Sequence, residues 1–418
     1  MVKFLSTKIR KLLLKRRWKT ALLSVFLLSL SVTLFSPIKT VKGLLVDTGL
    51  AAGSQQISMD SGRVSWVDAP SGGFGHNIVV YDISSGTSAS FAGPNGVPGG
   101  DILGGAIYGD KIVAAGNLTA LLYPYTATIS YCILPHAVPV QPCGSWKLLA
   151  NGLPQISTFA GYGFPVVHGD LVAWWTINGF AYHSFSSNLT ETVTFTAPQQ
   201  PVGLSTNGEI IAFTLATAPG QGRFGYCGQL EYLDTTNEAQ GVINTGLNNC
   251  AQGPTPSTSI SQYTIVFTDN TTGHNGIRYY DYLRNQASAA GQGPLGNFSY
   301  LDNPVIWGDR ISFFASETAL NFDCDGDGHI RSTQTCLQYW NIRAPSYVAP
   351  YLAAQAAPSL GGAFSIYDKT IAFRGLNGNL QYVTVPMKGD VNQDGVVDGV
   401  DKTIVVGCLG KVLKGTTC

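Results

Sequence analysis

Gly308-Asp309-Arg310-Ile311-Ser312-Phe313 reads as a tight turn running into a buried strand. Gly and Asp suit the positive-φ corner of a hairpin. The aliphatic–x–aromatic triplet that follows places two apolar side chains on one face. Near-copies recur along the chain as Val64–Ser–Trp66, Val172–Ala–Trp174, Ile211–Ala–Phe213, Ile265–Val–Phe267 and Ile371–Ala–Phe373. A weaker copy is read at Val113–Ala–Ala115. The turn recurs too, as Ser61-Gly62-Arg63, Gly109-Asp110-Lys111, Gly169-Asp170, Asn207-Gly208-Glu209 and Tyr367-Asp368-Lys369.

A second strand follows each triplet, with an apolar residue and then Tyr or Val two positions on. The pairs are Ile78/Val80, Ile129/Tyr131, Phe180/Tyr182, Leu230/Tyr232, Ile277/Tyr279, Leu337/Tyr339 and Leu380/Tyr382. Recurrence at roughly 40–60 residues marks supersecondary units that cannot bury their faces alone. Seven such units predict an all-β fold, a seven-bladed β-propeller spanning residues 44–388. The seventh unit lacks a fourth strand, and Leu44–Thr48 has no unit of its own. The two are expected to pair, so that both chain ends close the ring and cover an edge.

Residues 1–43 are a different material. They hold ten of the 25 Lys/Arg and none of the 25 Asp/Glu, so the remainder carries a net charge of about −10. Eight cations up to Lys19 precede an apolar run from Thr20 to Phe35. Two readings are open: a signal peptide cleaved after Val41 and Gly43 at the −3 and −1 positions, or an uncleaved N-terminal anchor as the only membrane contact. The acidic remainder has no basic patch, which excludes nucleic acid as a main partner.

The eight cysteines fall into four local pairs: Cys132/Cys143, Cys227/Cys250, Cys324/Cys336 and Cys408/Cys418. Behind an export signal they read as four disulfides in an oxidising space, against free buried thiols as the alternative. The setting is therefore extracellular, secreted or at the cell surface.

The C-terminal residues 389–418 carry the clearest chemistry. Asp390, Asn392, Asp394, Asp398 and Asp401 stand at loop positions 1, 3, 5, 9 and 12, with Gly395 at position 6. With the Val396 carbonyl they supply the oxygens that a hard Ca²⁺ ion takes in an EF-hand-like loop. An acidic surface turn is the other reading. A second cluster, Asp323, Asp325, Asp327 and His329, has the D-x-D-x-D-G start but Arg331 and Gln334 where later ligands belong. It reads as a calcium-stiffened insertion or as a plain polar turn.

Two resemblances follow from these residues. The G-D-x-aliphatic-x-aromatic turn-strand, with strands ending Tyr81-Asp82, Leu233-Asp234 and Tyr280-Asp281, resembles the TolB-like propeller repeats of exported bacterial and archaeal proteins. That implies a fold and a setting outside the cytoplasm. Gly389-Asp390-Val391-Asn392-Gln393-Asp394-Gly395 is similar to the first repeat of a type I dockerin, with its short helix over Asp401–Leu409. The resemblance implies calcium-dependent docking to a cohesin. A dockerin has two repeats, and this chain reaches Cys418 after one, so the loop is either a truncated dockerin or a calcium cap.

No G-x-S-x-G, HExxH or CxxCH motif is present. His76, His136, His168, His183, His274 and His329 are scattered, mostly near turns, and read as surface or hydrogen-bonded residues. Trp174, Trp175 and the tyrosines are assigned to packing between blades. The leading functional expectation is a non-enzymatic exported scaffold that binds a protein or carbohydrate at a propeller face. The alternative is a secreted carbohydrate-active lyase or hydrolase.

Overall fold

The computed structural model describes residues 44–385 and Lys402, except for 53–55, 69–76, 95–101, 118–125, 136–138, 155–164, 177, 217–226, 238–240, 251–257, 270–275, 288–300, 317–328, 331–334, 343–350, 356–363 and 376. The described residues open on β1 (Leu44–Ala51). Blade 1 is then β2 (Ile57–Asp60), β3 (Arg63–Val67), β4 (Asn77–Asp82) and β5 (Thr87–Ala92). Blade 2 is β6 (Ile102–Tyr108), β7 (Lys111–Asn117), β8 (Thr126–Ile133) and β9 (Lys147–Pro154). Blade 3 is β10 (Val166–His168), β11 (Leu171–Thr176), β12 (Gly179–Ser184) and β13 (Leu189–Thr194). Blade 4 is β14 (Gln200–Thr206), β15 (Ile210–Ala216), β16 (Cys227–Asp234) and β17 (Val242–Cys250). Blade 5 is β18 (Thr258–Ser261), β19 (Thr264–Asp269), β20 (Gly276–Asp281) and β21 (Gln286–Ala287). Blade 6 is β22 (Leu301–Trp307), β23 (Arg310–Ser316), β24 (Thr335–Asn341) and β25 (Tyr351–Gln355). Blade 7 is β26 (Phe364–Tyr367), β27 (Thr370–Arg374) and β28 (Asn379–Thr384).

Within each blade the strands pair antiparallel in chain order, and one parallel bridge, Cys250 to Asp269, links β17 to β19. The last blade takes its outer strand from the other end of the chain. β1 pairs with β28, with Leu44 opposite Thr384 and Asp47 opposite Gln381. This is the closure expected from the missing strand. The chain is a seven-bladed β-propeller.

The repeat has a simple packing meaning. Seven buried clusters fill the seven junctions between blades. In each, the triplet's two end residues face the preceding blade. Ile211 and Phe213 of blade 4 pack on Ala173, Phe180 and Tyr182 of blade 3, and Ile371 and Phe373 of blade 7 pack on Leu337 and Tyr339 of blade 6. The tyrosine or valine of the next strand stands opposite the triplet's middle residue, as in Ala212↔Tyr232 and Ala372↔Tyr382, and faces forward. Trp174 and Trp175 likewise fill the junctions on either side of blade 3.

The weak triplet needs one correction. Ile107 pairs with Ile112, as Met59 pairs with Val64 and Ile366 with Ile371. The second blade's copy is therefore Ile112–Val113–Ala114, one residue earlier than Val113–Ala–Ala115. A one-residue slip exchanges the faces of a strand. Ile112 and Ala114 indeed face blade 1, and Val113 and Ala115 face blade 3. All four side chains are buried, so hydrophobicity alone did not mark the register.

The turns behave as their residues require. Gly62, Gly109, Gly169 and Gly308 have φ between 55° and 77°. Asp82, Asp234 and Asp281 end their strands as turn caps. Asp82 accepts from the Ser85 N–H at 2.9 Å, Asp234 from Thr236 at 2.9 Å and Asp281 from Arg284 at 3.1 Å. Cys132 and Cys143 are bridged, with Cα atoms 6.0 Å apart. Cys227 is disulfide-bonded and stands opposite Cys250 in the β16–β17 ladder. Cys336 is disulfide-bonded as well. Cys324, Cys408 and Cys418 lie outside the described residues.

Candidate functional site

In every blade the residue that closes the two-residue turn after the innermost strand holds the same register position; in blade 4 it stands one residue past the end of β14. Around the ring these residues are Asp60, Tyr108, His168, Asn207, Ser261, Trp307 and Tyr367. Each reaches the next blade. The Gly109 N–H donates to Asp60 Oδ2 at 2.7 Å, and the Gly308 N–H donates to Ser261 Oγ at 2.8 Å. Asn207 Nδ2 donates to the Gln262 carbonyl at 2.7 Å. The Tyr108 ring lies on His168 at 4.3 Å between centroids, and Trp307 lies on Tyr367 at 4.1 Å. Ser61 Oγ stands 2.8 Å from Asp60 Oδ2 and 3.4 Å from the Tyr367 hydroxyl. A Cβ built on Gly208, at φ +98°, would come within 3.4 Å of His168 Nδ1. Blade 4 therefore has glycine where the imidazole of blade 3 arrives.

His168 and Trp307 come from blades 3 and 6, nearly opposite each other, yet their rings are 6.5 Å apart. The chain of rings Tyr108–His168–Trp307–Tyr367 thus reaches across the central channel at the turn face, as a plug of four half-buried rings. The Asp60 carboxylate acts on two of them. Burial holds the His168 imidazolium below the usual histidine range, against the opposing pull of the Asp60 charge and the Asn207 backbone. Burial, then the Asp60 charge and Tyr367, push the Tyr108 hydroxyl up. His168 Nδ1 is buried without a hydrogen bond. The Gly208 N–H beside it donates instead to Thr206 Oγ1 at 3.1 Å.

A row of serines stitches the same strands one step higher. Ser58 Oγ accepts from the Ile107 N–H at 3.0 Å, Ser205 from Ile260 at 3.0 Å, and Ser259 from Ile306 at 3.1 Å. Ser365 accepts from Met59 at 3.1 Å, across the closing junction.

The sequence singled out His168 as one of six scattered histidines and Tyr367 as a turn residue. It did not bring the seven positions together. The usable signal was the position just before each recurring turn. The expected metal ligands Asp390, Asn392, Asp394, Val396, Asp398 and Asp401 lie outside the described residues, as do Asp323, Asp325 and Asp327. His329 is described, and is exposed in the connection from β23 to β24. Among the described residues no group of three or more His, Cys, Asp or Glu side chains is placed to hold a metal, and no helix is long and apolar enough to cross a membrane. The N-terminal segment, His76, His136 and His274 lie outside the described residues.

No protein-family model and no curated protein matches the chain. Among solved structures it is similar to the β-propeller domain of the Trilobed protease from Pyrococcus furiosus, at 10% identity and a TM-score of 0.46, over 78% of this chain and 91% of that one. It is also similar to a chain of the Mitotic Checkpoint Complex, at 11% identity and 0.45, over 84% and 93%. TolB from Acinetobacter baumannii matches at 12% identity and 0.38, over 78% of each chain. The sheet order described above carries the fold by itself.

Proposed function

We propose that this chain is an exported, non-enzymatic binding scaffold. It would hold a protein ligand on the face opposite the channel plug, with a calcium-bound module at its C-terminus. The observation that carries this reading is the difference between the two faces. At the plugged face the inner hairpins are closed by two-residue turns, and the ring residues are spent on contacts to the next blade. At the other face the connections are long, from Asn117 to Thr126, Ala216 to Cys227, Ala287 to Leu301 and Ser316 to Thr335. A rigid ring that displays long loops on one side is a common arrangement for recognition.

The residues in those connections fit a protein ligand. Residues 118–125 and 288–300 contain no Asp, Glu, Lys or Arg, the first rich in Leu and Tyr and the second in Gly, Ser and Ala; residues 217–226 add one Arg, and 317–334 carry the second acidic cluster. Aromatic side chains such as tyrosine supply contact area at low entropic cost. The bridged Cys132 and Cys143, with disulfide-bonded Cys227 and Cys336, support an oxidising compartment. The calcium module rests on the spacing of Asp390, Asn392, Asp394, Asp398 and Asp401.

The test uses the full exported chain. Candidate envelope proteins and polysaccharides are screened with and without Ca²⁺, beside a variant whose residues 288–300 are replaced by a Gly-Ser linker. The reading expects saturable protein binding that the linker variant loses. Turnover of a polysaccharide would overturn it in favour of the enzyme. Calorimetric titration with Ca²⁺ tests the module: Asp390→Ala with Asp394→Ala should lose the uptake seen in wild type. Equal uptake would place the ion elsewhere, with residues 323–329 the next place to look.

A further inference from the structure

Two blades place an aromatic ring just past the end of their third strand, Phe185 in blade 3 and Tyr282 in blade 5. Blades 1, 2, 4, 6 and 7 have Ile83, Leu134, Thr235, Ile342 and Val385 there. At the junction of blades 2 and 3 the chain covers its own ring with a cation. Lys111 Nζ sits 5.5 Å from the Phe185 ring centre and 3.6 Å from Asp110, and its charge reaches Asp170. An ammonium between an aromatic face and carboxylates is a favourable cation–π arrangement.

The junction of blades 4 and 5 repeats the arrangement without the cation. The register puts Tyr282 where Phe185 stands, and Glu209-Ile210 where Asp110-Lys111 stand. Lysine has become isoleucine, while the carboxylate before it remains and is exposed. Tyr263 lies edge-on to Tyr282 at 6.1 Å and is 54% exposed. Tyr232 backs Tyr282 at 5.7 Å. Asp234, at the end of β16, adds a second carboxylate, and the charges of Glu209 and Asp234 both act on the Tyr282 hydroxyl. Asn207 and the Gln262 carbonyl fix that hydroxyl at 3.3 and 3.1 Å. The nearby cation Arg284 is drawn to Asp281 at 3.7 Å and is 77% exposed.

We propose that this tyrosine patch docks a basic side chain, lysine or arginine, of a partner protein. The occupant is the one the chain itself supplies two junctions away. Charge complementarity favours it, since the patch joins aromatic faces to Glu209 and Asp234. The site is on the plugged face, so it is independent of the long connections and would give the scaffold a second contact surface.

The test titrates the full exported chain with a capped tri-lysine peptide at low salt, followed by calorimetry. A capped glycine–serine peptide of equal length is the control. Wild type should bind tri-lysine saturably at one site and ignore the control. Tyr263→Ala removes an exposed ring and no charge, and should weaken binding about three- to five-fold. Glu209→Gln should weaken it and flatten its salt dependence. Replacing residues 288–300 should leave it unchanged. Failure of wild type to bind, or equal binding by Tyr263→Ala and wild type, would overturn the proposal. Equal binding would mean the peptide answers only to the chain's overall negative charge.

Discussion

His168 shows how much one register position decides. It lies between Tyr108 and Trp307, with its Nδ1 3.4 Å from where a Cβ on Gly208 would stand. Burial lowers its pKa from the ordinary histidine value. Below about pH 6.5 the unfolded chain takes up a proton that the folded chain resists. The stability linked to this residue is therefore complete above that pH and is lost as the pH falls toward the lowered folded value. His183, also held down by burial, adds in the same direction. His168→Gln should make the melting temperature less sensitive to pH between 7 and 5 than in wild type. An unchanged slope would mean the imidazole is not held neutral in the plug. Ser365 makes a separate prediction at this scale. Its hydroxyl accepts the Met59 N–H across the closing junction. Ser365→Ala should cost about 1 kcal/mol in denaturant unfolding, the scale of one lost hydrogen bond. The plug was hidden in the sequence because its positions recur while their residues do not. Asp, Tyr, His, Asn, Ser, Trp and Tyr occupy them, and no pattern of residue type joins them. The triplets were legible because the same burial is demanded at all seven junctions, and only apolar residues meet it. The exception was blade 2, where Ala114 stands in place of the aromatic ring that ends the other triplets, so the sequence did not mark which alternate residues matched.

The strand β1 is the element on which closure depends, and Asp47 is its anchor. Its carboxylate accepts from the Gly49 N–H at 2.8 Å, from Asn379 and Gln381 at 3.1 Å each, and from Asn377. The donors come from the two ends of the chain. These hydrogen bonds, the Gly49 N–H foremost, hold its pKa at about 2, from an ordinary value of 3.8. A carboxylate with a depressed folded pKa stabilises the fold above its unfolded value and loses that effect as pH falls toward the folded one. The seam should therefore loosen between about pH 4 and pH 2. Asp47→Ala should lower the melting temperature at pH 7 and remove part of the wild-type loss over that acid range. Proteolysis after residue 51 would report the loosening directly, because a released β1 exposes the edge of β28. Identical cleavage of wild type at pH 2.5 and pH 5 by an acid-tolerant protease would contradict it. Pairing between the two chain ends was legible from a count of strands. The amide cluster around Asp47 was not, because Asn377, Asn379 and Gln381 read as ordinary turn and strand residues until β1 lies beside them.

At the scale of the molecule, seven equivalent junctions make one cooperative unit. No blade owns its core: Phe213 completes a cluster begun by blade 3, and Phe373 one begun by blade 6. Opening a single junction in an open array would leave the other units folded. In a closed ring it also frees the two faces that the opened junction held, and the closing seam must carry the strain. Phe213→Ala and Phe373→Ala remove fully buried rings at distant junctions. Each should cost about 3–5 kcal/mol, the usual range for such truncations. Both variants should melt about 5–10 °C earlier than wild type, each in a single calorimetric transition. The two melting points should agree closely, since the clusters are alike in kind. Disulfides stay oxidised in this measurement, because reducing them would add a second process. If Phe373→Ala, at the junction next to the seam, produced two resolved transitions while Phe213→Ala produced one, the ring would be unfolding blade by blade from its closure. The seven junctions would then be a linear array held together at β1, rather than one unit.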